Sequence, residues 1–389
     1  MKISILGHGV VGKGVYEMLQ ACPQHTVLNV LVKKGEADPE KKWMVESIDY
    51  VLKDSSELVI ECMGGIEPAF EFASKCLDAG KSFITSNKAL VAAHGIELMQ
   101  KANSKGLSFL FSAACGGAIP ILQNIYNARQ ADSILYAGGI LNGTTNYMLD
   151  AMDRRSLSFE GALAEAKALG YAEADPTADL SGLDTLRKIM LISMVAYDTL
   201  PTEGCDIEGI QNVSASDFEM AKKLGCTIKL MGKAGLDKEG RLFAYVEPVL
   251  CGSSSSFSGV RTNTNLAFYD GKNSGYMSFG GQGAGRYPTA SAVLRDVYSV
   301  ECGQKQMLST SCKVGKAFND SEECENHYLI RSDCALDSYL PVEEVLGKQE
   351  DFSYVITKKI GVKKMHETAK ELREKGVKLF FAQCEGKDL

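Results

Sequence analysis

The chain has 389 residues, 45% hydrophobic and 23% charged, with 42 Lys plus Arg against 49 Asp plus Glu and a net charge of −7. That length leaves room for two or three domains, and the apolar content excludes an intrinsically disordered chain. The acidic balance argues against a nucleic-acid-binding or anionic-membrane surface, so the partners expected are small molecules, with no nucleic acid and no membrane.

The opening residues MKISILGHG enter a folding pattern at once, without a secretory leader, and no apolar run is long enough to span a bilayer. The 12 cysteines contain no C-x-x-C pair. The near-miss Cys22-Pro-Gln-His25 lacks a second pair of ligands and reads as chance. The compartment expected is the cytoplasm, with the cysteines as free thiols.

In chain order, residues 2–6 (KISIL) predict a short strand that runs into Gly7-His8-Gly9-Val10-Val11-Gly12 and then a helix with Val15, Met18 and Leu19 on one side. Strands follow at 27–32, 58–62, 82–85 and 107–111, with helices around 67–79 and 95–104. This alternation predicts an α/β fold built on a doubly wound Rossmann-type parallel sheet over about 1–128. A strand at 133–141 ends in Asn142-Gly-Thr-Thr-Asn146. A helix at 158–169 stops at Gly170, and another starts near Asp184. The strand-rich stretch from about 226 to 280 predicts a second, α+β domain over 129–282. A helix over 289–300 follows. The tail, 320–389, reads strand, short helix (PVEEVL), strand, helix (363–375), strand, which predicts a small C-terminal α+β module.

The glycine loop carries a physical signal because it follows a strand and opens a helix. Gly7 permits the tight turn, Gly9 admits a pyrophosphate to the backbone, and Gly12 lets helix and strand pack closely. The helix N-terminus then offers N–H groups to the phosphates. His8 is given no special role. Where an acidic residue would meet the ribose hydroxyl of NAD, the chain has Val32-Lys33-Lys34. Two lysines would suit a 2′-phosphate, so NADP is favoured, with NAD left open.

The stretch Gly170-Tyr-Ala-Glu173-Ala-Asp175-Pro-Thr-Ala-Asp179-Leu-Ser-Gly182-Leu-Asp184-Thr-Leu-Arg187-Lys188 concentrates carboxylates ahead of a lysine. Asp184 and Lys188 stand four apart and share a helix face, and apolar residues 189–195 follow. Lys188 therefore lies where a helix enters the core, and burial makes it usable as an acid or base; on composition alone an ordinary i,i+4 ion pair is the plainer reading. A second lysine, Lys88 in Thr85-Ser-Asn-Lys88, follows a strand at the end of the sheet where ligands bind.

These motifs resemble one family. Asn142-Gly-Thr-Thr-Asn-Tyr147, the 170–188 stretch, Ser86-Asn-Lys88, Glu61-Cys-Met63-Gly64-Gly65, Gly116-Gly-Ala-Ile-Pro120 and Gly283-Ala-Gly285-Arg-Tyr-Pro are similar to those of homoserine dehydrogenases, over about 1–305 in the same order. The resemblance implies NAD(P)-dependent, reversible reduction of L-aspartate 4-semialdehyde to L-homoserine, on the route to threonine and methionine. By position it makes Lys188 the proton donor, Glu173 and Asp184 substrate-binding carboxylates and Asp179 a supporting one, with Lys88 near nicotinamide and substrate. Cofactor contacts would come from Gly7, Gly9, Val10, Val11, Gly12, Lys33, Lys34, Met63, Gly64, Lys88, Gly170, Gly283 and Gly285. It implies that 283–305 returns to the nucleotide domain and that 129–282 is the catalytic and dimerisation domain of a homodimer.

A sodium ion is a further implication, held by the backbone oxygens of Cys115, Gly117 and Ile119. The family's carboxylate there is replaced by Ser112. With no kinase domain ahead of the glycine loop, the monofunctional form is expected. The alternatives are a related NAD(P)-dependent amino-acid dehydrogenase and a non-catalytic NADP sensor. The tail resembles a degenerate ACT-type domain, one strand short. It carries Asp333-Cys-Ala-Leu-Asp337-Ser-Tyr-Leu-Pro341 without the glycine of an amino-acid-binding turn, so packing or subunit contact is expected of it.

Overall fold

Short apolar strands with no polar alternation are expected to be covered on both faces, and residues 3–6, 58–61 and 83–85 are buried. The computed structural model describes residues 1–349 and 351–385. They divide into two units, 1–133 with 194–200 and 281–313, and 134–193 with 201–280 and 314 onward. The last residues of the expected C-terminal module, 386–389, lie outside the described residues.

In the first unit, β1 (Lys2–Leu6), β2 (Thr26–Leu31), β3 (Met44–Val45), β4 (Leu58–Glu61), β5 (Ser82–Thr85) and β6 (Phe109–Leu110) form one sheet. Its order is β3-β2-β1-β4-β5-β6, with every neighbouring pair parallel. The connections carry α1 (Val10–Gln20), α2 (Ile48–Lys53), α3 (Ala69–Asp78), α4 (Lys88–Ser104) and α5 (Ile121–Ala128). This is the doubly wound arrangement expected. The order reverses between β1 and β4, and the crevice at their carboxyl ends is where such sheets bind ligands.

The second unit begins with β7 (Ile134–Ile140), α6 (Gly143–Arg155), α7 (Phe159–Ala168), α8 (Thr177–Leu180) and α9 (Leu183–Tyr197). Then come β8 (Thr199–Glu203), β9 (Asp206–Ile207), α10 (Ala215–Lys223), β10 (Cys226–Leu236), β11 (Leu242–Gly252), β12 (Thr264–Gly271) and β13 (Gly275–Gln282). After α11 (Arg286–Glu301) and β14 (Lys313–Lys316), which pairs with β8, the tail adds β15 (Glu325–Asn326), β16 (Tyr328–Ser332), β17 (Val342–Gln349) and β18 (Phe352–Thr357). It ends in β19 (Ile360–Gly361), α12 (Val362–Glu374) and β20 (Leu379–Cys384).

The tail departs from expectation in two ways. Residues 341–346 form a strand, not a helix: Pro341 opens it, and β17 pairs antiparallel with β18 across a hairpin. Glu343, Glu344 and Lys348 make it a charged edge strand, which discourages pairing with other chains. The strand thought missing is therefore present, in place of the expected short helix. Nor is the tail a separate appendage. β20 pairs parallel with β11, so one sheet runs β13-β12-β7-β10-β11-β20-β16-β18-β17. Three buried or half-buried ion pairs seal the join: Arg331 with Asp217 at 3.0 Å, Arg373 with Glu208 at 2.8 Å and His366 with Glu247 at 3.1 Å.

In the first unit, α11 lies on α1 at Gly14, where a Cβ would come within 3.0 Å of the Arg286 carbonyl oxygen. From α11, the wholly buried Asp296 accepts the Ser112 N–H at 2.8 Å and so fixes the turn after β6. Burial pushes its carboxyl up to about 7, against the pull of the Ser112 and Ala113 hydrogen bonds. The folded state thus holds this proton more tightly than the unfolded chain. Stability contributed by the protonated form is full below about pH 4 and is lost as pH rises toward 7. Between pH 5 and 8 the loss amounts to about 1–3 kcal/mol. Asp296→Asn should remove most of this dependence in urea unfolding at the two pH values; an unchanged difference would show that Asp296 is not its source.

Candidate active site

The second unit's site is built where β7 ends. Gly232 of β10 lets α9 approach closely: a Cβ there would lie 2.4 Å from Ile189 Cγ1. With α9 so seated, Ile189, Ile192 and Val195 are buried, and Lys188, one residue earlier, is only 8% exposed. Its Nζ sits 2.7 Å from Asp184 Oδ2, one turn back, and donates to the Leu141 carbonyl at 2.5 Å. The next residue, Asn142, is the N-cap of α6, with Oδ1 accepting from the Thr145 N–H at 2.9 Å. Its Nδ2 donates to Asp179 Oδ1 at 2.7 Å and to Asp184 Oδ2 at 2.8 Å. One amide thus links the end of β7, α6, α8 and α9 around a buried lysine.

Asp179, Asp184 and Lys188 are therefore brought together, and Asn142, which the sequence showed only as part of a motif, is their hub. Its signal was an asparagine at a strand end before Gly-Thr-Thr, a good N-cap position. Glu173 is not in this network. It stands exposed on the loop between α7 and α8, a loop tied down by Thr144 Oγ1 donating to the Tyr171 carbonyl at 2.5 Å. Gly170 closes α7 in the left-handed conformation, φ +74°. Asp175 accepts from the Thr177 N–H and hydroxyl, which shapes the start of α8.

In the first unit, the glycine loop has the geometry of an anion cradle. Gly7 has φ +97°, and a Cβ on Gly12 would lie 2.0 Å from the Gly7 carbonyl oxygen, so α1 can pack only as glycine. A Cβ on Gly9 would meet nothing within 4 Å, so no contact inside the chain demands glycine there. α1 starts at Gly9 without a side-chain cap and without an acidic residue in its first turn. Val10, 67% exposed, leads it, and Val11 is half-buried. Such an uncapped helix start, with N–H groups presented, fits a pyrophosphate. His8 meets the rings of Trp43 and Tyr16 edge-on, at 5.6 and 6.0 Å.

Lys33 and Lys34 are exposed just beyond β2. Glu46, unnoticed in the sequence, lies in the same region, but its Oε1 accepts the N–H groups of Gly35 and Ala37. Met63 and Gly64 follow β4, and Lys88 is the first residue of α4, after the N-cap Asn87. Gly283 packs on Gly117, where a Cβ would lie 2.5 Å from the Gly283 carbonyl carbon, and Gly285 begins α11. Cys115, Gly117 and Ile119 share one turn, but this donor set lacks a carboxylate. Ser112 is buried with its N–H on Asp296, and Ile119 O accepts from Ile121 N. The set does not fit a sodium ion well, and no chemistry is derived through one.

Comparison with known proteins bears on both units. The family profile for the NAD binding domain of homoserine dehydrogenase matches residues 7–112, and the homoserine dehydrogenase profile matches 120–298. The chain is 37% identical to the homoserine dehydrogenase of Corynebacterium glutamicum over 313 residues, covering 76% of this chain and 70% of that protein. It is 33% identical to that of Lactococcus lactis over 337 residues, covering 82% and 77%. The structure of a Thiobacillus denitrificans homoserine dehydrogenase superposes with a TM-score of 0.86 at 26% identity, covering 99% of this chain and 98% of that one.

The network makes a stability prediction. Asn142→Leu removes the cap of α6 and leaves Asp179 and Asp184 without their shared donor. It should cost about 2–4 kcal/mol in urea unfolding, from one lost cap and the desolvation of two acceptors. A cost below about 0.5 kcal/mol would mean that the amide is not the hub.

Proposed function

The chain belongs to the homoserine dehydrogenase family, NAD(P)-dependent oxidoreductases of threonine and methionine biosynthesis, and we propose that its two units supply the two halves of that chemistry. The first would hold the dinucleotide, with the pyrophosphate on the Gly7–Gly12 loop and the N-terminus of α1. The second would hold the amino acid and the proton donor. The nicotinamide cofactor, when bound, supplies or accepts the hydride.

What remains is proton transfer at one oxygen. Reducing the aldehyde of L-aspartate 4-semialdehyde leaves an alkoxide that must gain a proton, and oxidising the hydroxyl of L-homoserine must remove one. Lys188 Nζ is the group we assign to both directions. Asp184 and the Leu141 carbonyl fix the ammonium in place, so it need not reorganise as charge develops on the oxygen. Asp184 thereby acts on Lys188 as well as on substrate, and Asp179 acts through Asn142. Glu173, standing clear of this network, is suited to the substrate ammonium. Lys88, at the start of α4, is assigned to the nicotinamide end, with Met63 and Gly64. The observation that carries the reading is the buried Lys188–Asp184 pair on the 170–188 motif.

We further assign the chain to the cytoplasm and to a homodimer through its second unit. The tail, continuous with that unit's sheet, is assigned to packing or subunit contact.

Lys188→Ala should lower kcat by roughly 10²–10⁴-fold, the usual contribution of a general acid–base group, while cofactor affinity stays within twofold. Near-wild-type kcat would remove Lys188 from the proton path. The exposed pair Lys33 and Lys34, with the nearby Glu46 engaged by backbone, supports NADP over NAD. A charge-assisted phosphate contact is worth about 1.5–3 kcal/mol, so the double variant Lys33→Ala, Lys34→Ala should lose roughly ten- to a hundredfold in kcat/KM for NADP and little for NAD. Equal losses with both cofactors would contradict the assignment.

A further inference from the structure

Glu61 closes β4 in the centre of the parallel sheet, and its side chain is wholly buried. Burial pushes its carboxyl up; hydrogen bonds from Thr85, the Met63 N–H and Asn87 pull it back. An apolar residue would fill this place at lower cost, so a stabilising role does not account for it.

The hydrogen bonds do. Oε1 accepts the Met63 N–H at 2.6 Å, and Oε2 accepts the hydroxyl of Thr85, its register partner on β5, at 2.5 Å. Thr85 Oγ1 in turn accepts the Asn87 N–H at 2.9 Å. Asn87 then points both ways. Its Oδ1 caps α4 by accepting from Ala89 and Leu90, and its Nδ2 donates to the Gly65 carbonyl at 2.6 Å. The carboxylate therefore ties the Met63–Gly65 loop to the start of α4, and with it Lys88. Both segments leave the carboxyl ends of β4 and β5, the half of a doubly wound sheet that takes the second nucleotide.

We propose that Glu61 is a positioning residue for the nicotinamide half of the cofactor, holding the Met63–Gly65 loop and the Lys88 end of α4 in fixed register through Thr85 and Asn87. It touches neither substrate nor reacting atoms. The proposal rests on the cofactor placement given above.

Thr85→Val removes the relay hydroxyl and leaves the carboxylate. Glu61→Gln keeps the acceptor for Met63 but presents an amide donor to Thr85, opposing the hydroxyl proton. Both should raise the Kd of NADPH, measured by calorimetry on the full chain, roughly tenfold, the usual effect of stranding a buried polar group. kcat should fall with it, while KM for homoserine at saturating cofactor stays within twofold. Thr85→Ser, which returns the hydroxyl, should recover most of the loss. A purely structural role would lower the melting temperature of Thr85→Val and leave Kd and kcat untouched, and that result overturns the proposal. So does a Thr85→Ser as defective as Thr85→Val. If wild type bound NADPH but Gly12→Val bound it equally well, the cofactor placement itself would fall, taking this proposal with it.

Discussion

The second unit depends on the side-chain amide of one asparagine. Asn142 caps α6 with its oxygen and donates both amide hydrogens to carboxylates, one on α8 and one on α9. A planar primary amide can accept and donate twice at once, and asparagine carries it on a stem short enough to cap a helix as well. Asp184 Oδ2 accepts from Asn142 Nδ2 and also meets Lys188 Nζ, and Leu141, next to Asn142 in the chain, supplies the second acceptor for the lysine. Lys188 is buried but partnered, and its Nζ is held in one place for an oxygen of the substrate.

The first unit follows the same logic with the opposite charge. Glu61 and Asp296 are buried carboxylates whose donors are backbone N–H groups and hydroxyls. Burial raises both. Each sits where the chain leaves the sheet or turns beside it: Glu61 at the end of β4, Asp296 under the turn after β6. Glu61 and Asp296 in the first unit and Asn142 in the second thus hold segments that leave strand ends, where loops must be kept rigid for chemistry.

Much of this was legible before the structure. Short unalternating apolar strands separated by helical segments specify a parallel sheet, and the glycine loop specifies where its first helix begins. The four-residue spacing of Asp184 and Lys188 ahead of an apolar run placed both on one face of a buried helix. What was not legible depends on contacts distant in sequence. Asn142 meets Asp179 and Asp184 across some forty residues, and Asp296 meets Ser112 across 184. No local pattern encodes such pairs. PVEEVL is short, carries two glutamates and has no strong period, so its pairing with β18 decided its conformation. The tail looked separable for the same reason: the bond between β20 and β11 spans more than a hundred residues.

The central claim is that the chain transfers a hydride between a nicotinamide cofactor and L-homoserine. The most direct measurement mixes the purified protein with L-homoserine and NADP and follows absorbance at the reduced-nicotinamide band. The account predicts saturable reduction of the cofactor that requires both substrates and runs backward when L-aspartate 4-semialdehyde and NADPH are supplied. Bound cofactor with no homoserine-dependent reduction, with NADP and with NAD alike, would contradict it.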